Sequence, residues 1–132
     1  MRRHEARQVI LRCLYRLEFK DAPLEEILAE EDLGDQADFI RQRLQGILAH
    51  KGEIDTLIDQ RAEGWGLDRL ATVDRNILRL GIYELLYSDL PPEIVIDEAV
   101  ELAKEYGTER APSFINGILE RIRRERLDRS TE

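Results

Sequence analysis

The amino-acid sequence predicts an all-α protein of six or seven helices. Apolar residues recur at intervals of three and four positions along nearly all of the 132 residues, which is the spacing of one face of a helix. Residues 93–96 resemble a strand, but no second convincing strand is present to pair with them. The composition, 42% apolar and 36% charged, is typical of a folded protein with a densely charged exterior.

The N-terminal half contains three predicted helical segments. An apolar stripe predicts a helix over residues 3–19, and Pro23 then opens a short helix, because proline is tolerated in the first turn. After Asp35, a predicted N-cap, a longer helix follows. We expect this helix to break near Lys51-Gly52, since glycine weakens helices, and to end at Gly64-Trp65-Gly66.

The C-terminal half is predicted to contain three more helices. Thr72 is the predicted N-cap of a helix over residues 73–88, which is apolar around most of its circumference and therefore central. Pro91-Pro92 predicts an irregular link, and residues 93–96 an extended linker. The remaining boundaries are Asp97, a predicted N-cap, Gly107, a predicted helix end, and Pro112, near the start of the last helix.

Several classes of protein are excluded by the residues present. No apolar run approaches the length of a membrane span, and the basic N-terminus is interrupted by charges, so we expect a cytoplasmic protein with no membrane partner. One cysteine, Cys13, and two isolated histidines predict neither a disulfide nor a metal site, and no cofactor is predicted. Without a glycine-rich phosphate loop or a nucleophile elbow, we expect no enzyme.

The net charge of −8 is unevenly distributed. Residues 1–20 carry six basic against two acidic side chains, and residues 113–132 carry five against four, whereas the segments between them are strongly acidic. This polarity indicates an anionic ligand near the termini and a different partner elsewhere. The alternative is ordinary solvated helix surface.

The first predicted helix carries one candidate binding surface. Arg3 and Arg7 lie at the edge of its apolar stripe, and a second row contains His4, Gln8, Leu11 and Tyr15. Arginine pairs with phosphate, and tyrosine stacks on bases or anchors a protein partner. The alternative is that Leu11 and Tyr15 are covered by the rest of the chain.

A second candidate surface begins at Arg110. The helix start after Pro112 offers free backbone N–H groups to a phosphate, while Phe114 could stack on a base and Asn116 could read a base edge. Alternatively, Phe114 belongs to the core, and Asn116-Gly117 permits close packing of helices.

Three blocks of the sequence resemble the NusB family of bacterial transcription antitermination factors. They are Arg3-His4-Glu5-Ala6-Arg7 with Leu14-Tyr15, the segment VDRNILRLGIYEL at residues 73–85, and IDEAVELAKEYG at residues 96–107 followed by FINGIL at residues 114–119. The resemblance implies one domain built from two packed three-helix bundles, at about residues 1–63 and 67–128.

The resemblance also implies a non-enzymatic RNA-binding role. Members bind boxA-type RNA as a heterodimer with NusE, a ribosomal small-subunit protein, and act with other Nus factors on RNA polymerase in ribosomal RNA transcription; the free protein would be a monomer or a homodimer. By position, the implied RNA-binding residues are Arg3, His4, Arg7, Phe114 and Asn116, and the implied partner residues are Tyr15 and Asp74. Arg110, from the second candidate surface, is a further predicted RNA-binding residue.

This chain departs from the family pattern at Arg110 and Ser113, where an acid and a lysine are common. Two alternatives to the antitermination role remain. One is a protein-only helical scaffold without specific RNA binding. The other is an RNA-modifying enzyme, since a NusB-like domain precedes the catalytic domain of some ribosomal RNA cytosine methyltransferases. The 132 residues contain no nucleotide-binding βαβ unit, so we expect the catalytic part to be absent.

Overall fold

The computed structural model describes residues 1–62 and 66–130, with side chains described as far as residue 126, and confirms the all-α prediction. These residues form seven α-helices and two 3₁₀ turns, and the described part contains no strand. Gly64 and Trp65 of the predicted helix stop lie outside the described residues. The helices are α1 (Arg3–Phe19), α2 (Leu24–Leu28), α3 (Ala37–Ala49), α4 (Lys51–Arg61), α5 (Thr72–Tyr87), α6 (Pro92–Tyr106) and α7 (Ala111–Ser130), and the 3₁₀ turns are Gly34–Gln36 and Leu67–Arg69.

The first compact unit, Met1–Ala49, is built around α1. This helix has the bounds that its apolar stripe predicts, and it packs against α2 and α3. The fully buried residues of this unit include Ile10, Cys13, Ile27, Ile40, Leu44 and Ile47. Within the described ranges, none of the helices in either unit combines the length and apolarity needed to cross a membrane.

The second compact unit, His50–Glu132, is built around α5. This helix packs against α4, α6 and α7, and every residue from Asn76 to Glu84 is buried, as expected of a central helix. Close packing against α7 depends on Gly81, because a Cβ atom there would lie 3.0 Å from a methyl group of Leu119.

The boundary between the two units falls before α4. The predicted break in the long helix is present, at His50, whose φ of −109° and ψ of 14° are not helical. Beyond it, Asp55 of α4 accepts two hydrogen bonds, of 2.8 and 3.0 Å, from the buried guanidinium of Arg79 on α5. A buried cation needs such a partner, so this ion pair groups α4 with α5.

In the second unit, two predicted helix starts are wrong. Thr72 is the first residue of α5 rather than its cap, and the N-cap position belongs to Ala71. Residues 93–96 are not an extended linker, because α6 begins at Pro92, and Asp97 therefore lies inside the helix. Proline is tolerated in the first turn, where its missing N–H has no partner to lose, and the early start lets Val95 and Ile96 join the buried face of α6.

Candidate functional site

A cluster of three arginines surrounds the ring of Phe39 in the first unit. The guanidinium carbons of Arg3, Arg43 and Arg7 lie 3.9, 4.5 and 5.3 Å from the ring centroid. Such contacts are attractive because the face of an aromatic ring is electronegative. We call this group the Phe39 cluster, and it concentrates three positive charges at the start of α1 and on α3.

The members of the Phe39 cluster differ in exposure. Arg3 is exposed and donates a hydrogen bond to Oε1 of Gln36, whereas Arg7 is only 4% exposed. His4, the next predicted RNA-binding residue, is half-buried on the same helix. Arg3 is therefore the exposed member of this pair, and Arg7 is buried against the ring.

The sequence prediction missed Phe39 and Arg43. They stand four positions apart on α3 and therefore lie on the same face of that helix. An aromatic residue followed by arginine at this spacing is the signal that would have identified them. Only the packing of α3 against α1 brings them to Arg3 and Arg7.

The carboxylate of Asp35, close to Arg3, forms an ion pair with the N-terminal ammonium group. The N-terminal ammonium of Met1 lies 3.1 Å from Oδ1 of Asp35. This hydrogen bond, with a further contribution from Arg3, lowers the pKa of the Asp35 carboxyl. The carboxylate is therefore charged at neutral pH, and its charge is balanced by the ammonium group.

An exposed aromatic pair marks the other end of α1. Tyr15 is 53% exposed and Phe19 is 69% exposed, with ring centroids 4.9 Å apart. Leu11, predicted to share a row with Tyr15, is instead buried. Beside the pair, Arg16 and Lys20 form ion pairs with Glu30, at 3.4 and 3.5 Å. Exposed aromatic rings with a charged surround are typical of the centre of a protein interface.

Asp74 holds the loop between α6 and α7. The carboxylate is only 5% exposed, and it accepts hydrogen bonds from the backbone N–H of Thr108 at 3.2 Å and from the Thr108 hydroxyl at 2.8 Å. Gly107 lies against the same carboxylate, since a Cβ atom there would be 3.0 Å from Oδ1 of Asp74 and 2.7 Å from the Cβ of Ala111. Asp74 therefore holds the loop through its buried carboxylate and exposes little surface of its own.

Gly107 directly follows α6, at a position where glycine usually adopts a left-handed conformation. Its φ of −80° is accessible to any residue, so the left-handed conformation usual for a terminal glycine is not used. The lack of a side chain matters here because the loop approaches Ala111 so closely.

An open groove of about 1010 Å³ lies along this loop. Its lining includes two exposed arginines, Arg69 from the second 3₁₀ turn and Arg110 from the loop, together with the half-buried ring of Phe114. Two of the predicted RNA-binding residues are thus brought together. Arg69 was missed, because nothing in its local sequence indicates that the turn folds back against the start of α7.

The last predicted residue, Asn116, is exposed on α7. The alternative interpretation, in which Asn116-Gly117 permits close helix packing, does not fit at Gly117. This glycine is also exposed, and a Cβ atom built on it meets no atom within 4 Å.

Comparisons with known proteins agree on one family. The model of the NusB family matches residues 4–124. A protein of Geobacillus kaustophilus, named transcription antitermination protein NusB, is 42% identical over 125 residues, covering 93% of this chain and 96% of that protein. The solved structure of T. maritima NusB is 44% identical with a TM-score of 0.87, covering 95% of this chain and 92% of that one. In a crystal structure of the antitermination factors NusB and NusE in complex with dsRNA, the matching chain is 30% identical with a TM-score of 0.78, covering 92% of this chain and 97% of that one.

Proposed function

Because this chain belongs to the NusB family, we propose that it is a non-enzymatic, RNA-binding transcription antitermination factor of the bacterial cytoplasm. It binds boxA-type RNA as a heterodimer with NusE and joins the other Nus factors on RNA polymerase, where it supports transcription of ribosomal RNA. The observation that carries the RNA-binding part is the groove of the second unit, in which Arg69, Arg110 and Phe114 meet in a chain of net charge −8.

The groove contains the groups that single-stranded RNA requires. Guanidinium groups bind phosphate oxygens in a forked geometry, and a phenyl ring stacks on an unpaired base. Arg69 and Arg110 supply the first, and Phe114 supplies the second. Asn116, exposed on the next turn of α7, supplies an amide for a base edge. Asp74 holds the loop in place and so fixes where Arg110 stands.

The Phe39 cluster supplies further phosphate contacts in the first unit. Arg3 is the exposed member, with His4 beside it on α1. Arg7 and Arg43 raise the local positive potential and hold the ring on which Arg3 rests. Few phosphates are neutralised in total, so we expect weak RNA binding by the chain alone and a shallow dependence of that binding on salt.

The exposed pair Tyr15 and Phe19 is the proposed anchor for NusE. A partner that covers these rings gains apolar contact at little entropic cost, because aromatic side chains have few rotatable bonds. Asp74, the other implied partner residue, is buried in the second unit, where it holds the loop that carries Arg110. The complex of NusB and NusE with dsRNA supports this assignment of partners.

The first test is a fluorescence-anisotropy titration with a boxA-type single strand, a scrambled strand and an RNA duplex, each with and without NusE and at two salt concentrations. We expect selective binding of the boxA-type strand, tightened by NusE. Binding of NusE without selective RNA binding in any arm would favour the protein-only scaffold. Equal binding of the duplex would show recognition of RNA shape rather than of unpaired bases.

The second test assigns the residues. Arg69→Gln and Arg110→Gln should each weaken RNA binding and reduce its salt slope by roughly 0.7, the value for one phosphate of a single strand. Arg126→Gln, on an exposed part of α7 outside the groove, is the matched control. If Arg110→Gln and Arg126→Gln gave the same salt slope as the unmodified protein, the groove would not hold phosphate.

The third test concerns the partner. Tyr15→Asp should weaken NusE binding at least about tenfold, since it places a charge where an apolar contact of hot-spot size is expected. Tyr106→Asp is the control, because Tyr106 is exposed to a similar degree, 47%, but lies on α6 of the other unit. Equal NusE affinities of the two variants would remove the aromatic pair from the interface.

A further inference from the structure

Gly117 is an exposed glycine in the interior of a helix. It is the seventh residue of α7, it is exposed, and the space where a Cβ atom would stand is open. Glycine in the interior of a helix is less favourable than alanine, because it has more conformational freedom to lose on folding. Nothing within the described chain requires the missing side chain, in contrast to Gly81, which makes room for Leu119.

Gly52 is another helical glycine with open space where a Cβ atom would stand. It is the second residue of α4, directly after the helix break at His50. A glycine in a first turn costs the helix less than one in its middle, because that turn has unpaired N–H groups in any case. Gly52 therefore requires no external explanation, and it provides a matched control for Gly117.

The neighbours of Gly117 on the helix surface are basic and aromatic. At about 100° per residue, Arg110, Phe114, Arg121 and Arg124 all fall within roughly 60° of the direction of Gly117. The three arginines of this row are exposed. The row thus runs from the candidate groove along the outside of α7, with Gly117 as its one position without a side chain.

Two acidic residues of α7 next to the row, Glu120 and Glu125, are engaged in ion pairs. Glu120 lies 3.5 Å from Arg123, and Glu125 pairs with Arg61 at 3.1 Å as well as with Arg121 at 3.5 Å. These pairs reduce the negative potential that an approaching anion meets, and the positive charges of Arg110 and Arg124 add to the attraction.

We propose that the sugar–phosphate backbone of bound RNA crosses α7 at Gly117 and continues towards Arg121 and Arg124. This proposal rests on the proposed RNA-binding function and extends its site by two turns beyond Phe114 and Asn116. At Gly117 the RNA backbone lies directly on the helix, because no side chain separates them. A protein segment crossing at the same place is the alternative occupant, and the row of arginines favours the polyanion.

The experiment compares Gly117→Ala with Gly52→Ala. Both variants should raise the Tm, by about 2–5 °C for Gly117→Ala, since alanine is the better helix former at an open position. Only Gly117→Ala should weaken binding of a boxA-type RNA, by roughly three- to tenfold, because the added methyl group holds the RNA backbone away from the helix. Gly117→Leu should weaken it further, because the larger side chain holds the RNA backbone farther from the helix.

The charge of the row is tested separately. Arg121→Gln and Arg124→Gln should each lower the salt slope of RNA binding by roughly 0.7. Arg126→Gln should leave the slope unchanged, because Arg126 points about 180° away from Gly117 around α7.

Three results would overturn the proposal, and they differ from one another. If the unmodified protein bound no RNA, the proposed function itself would fail. If it bound RNA and Gly117→Ala bound equally well with a raised Tm, the RNA would not pass Gly117. If Gly117→Ala weakened NusE binding measured without RNA and left RNA affinity unchanged, the face would contact protein.

Discussion

Removing the carboxylate of Asp74 should loosen the loop between α6 and α7. In Asp74→Ala, the backbone N–H and the hydroxyl of Thr108 lose the acceptors that they now reach at 3.2 and 2.8 Å. Hydrogen bonds to a charged group contribute about 1.5–3 kcal/mol each, and water restores part of that because Thr108 is exposed. We therefore expect a loss of about 2–3 kcal/mol in the free energy of unfolding.

Urea denaturation followed by circular dichroism measures this loss, and a double-mutant cycle isolates its source. Thr108→Val removes only the hydroxyl donor and should cost about 1 kcal/mol. Asp74→Ala combined with Thr108→Val should be less destabilised than the sum of the two, with a coupling of about 0.5–2 kcal/mol. A loss below about 0.5 kcal/mol for Asp74→Ala, or full additivity, would refute the assignment of Asp74 as the residue that holds the loop.

Three further perturbations test other parts of the structure. Ile77→Ala, which truncates a fully buried residue of α5, should cost about 2–5 kcal/mol in urea denaturation, and a near-zero cost would contradict the central position of that helix. Gly107→Ala places a Cβ atom 2.7 Å from that of Ala111 and 2.8 Å from the carbonyl oxygen of Ala103. This substitution should lower the free energy of unfolding by about 1–3 kcal/mol, and it should lower RNA affinity because the loop is displaced. Unchanged stability would mean that the loop moves aside without cost. Cys13 should not react with a maleimide at neutral pH until the protein unfolds, because burial raises the pKa of its thiol to about 11 and keeps the thiol protonated. Labelling of the native protein would show that α1 opens.

The helix starts show where local sequence rules compete with packing. Asp97 is a good N-cap by residue type, and two prolines stand before it. Burial of Val95 and Ile96 nevertheless extends α6 back to Pro92, because two apolar side chains gain more from the core than one cap contributes. A rule that considers the cap alone cannot weigh these terms against each other.

The candidate binding residues also fall into two groups, those that the local sequence reveals and those that only tertiary packing brings together. Arg3, Arg7, Arg110 and Phe114 were predicted, because their types and positions are visible along one helix or one loop. Phe39, Arg43 and Arg69 were missed, because they stand on other elements and reach the same places only through tertiary packing.

The sequence by itself determined the all-α class, the central position of α5 and the basic character of the chain ends. These properties follow from helical periodicity and from local charge, which act over a few turns. Only the tertiary structure decided that Arg7 and Asp74 are buried while Tyr15 and Gly117 are exposed. Exposure depends on what other segments cover, and that is settled by contacts between residues distant in the chain, such as Asp74 with Thr108.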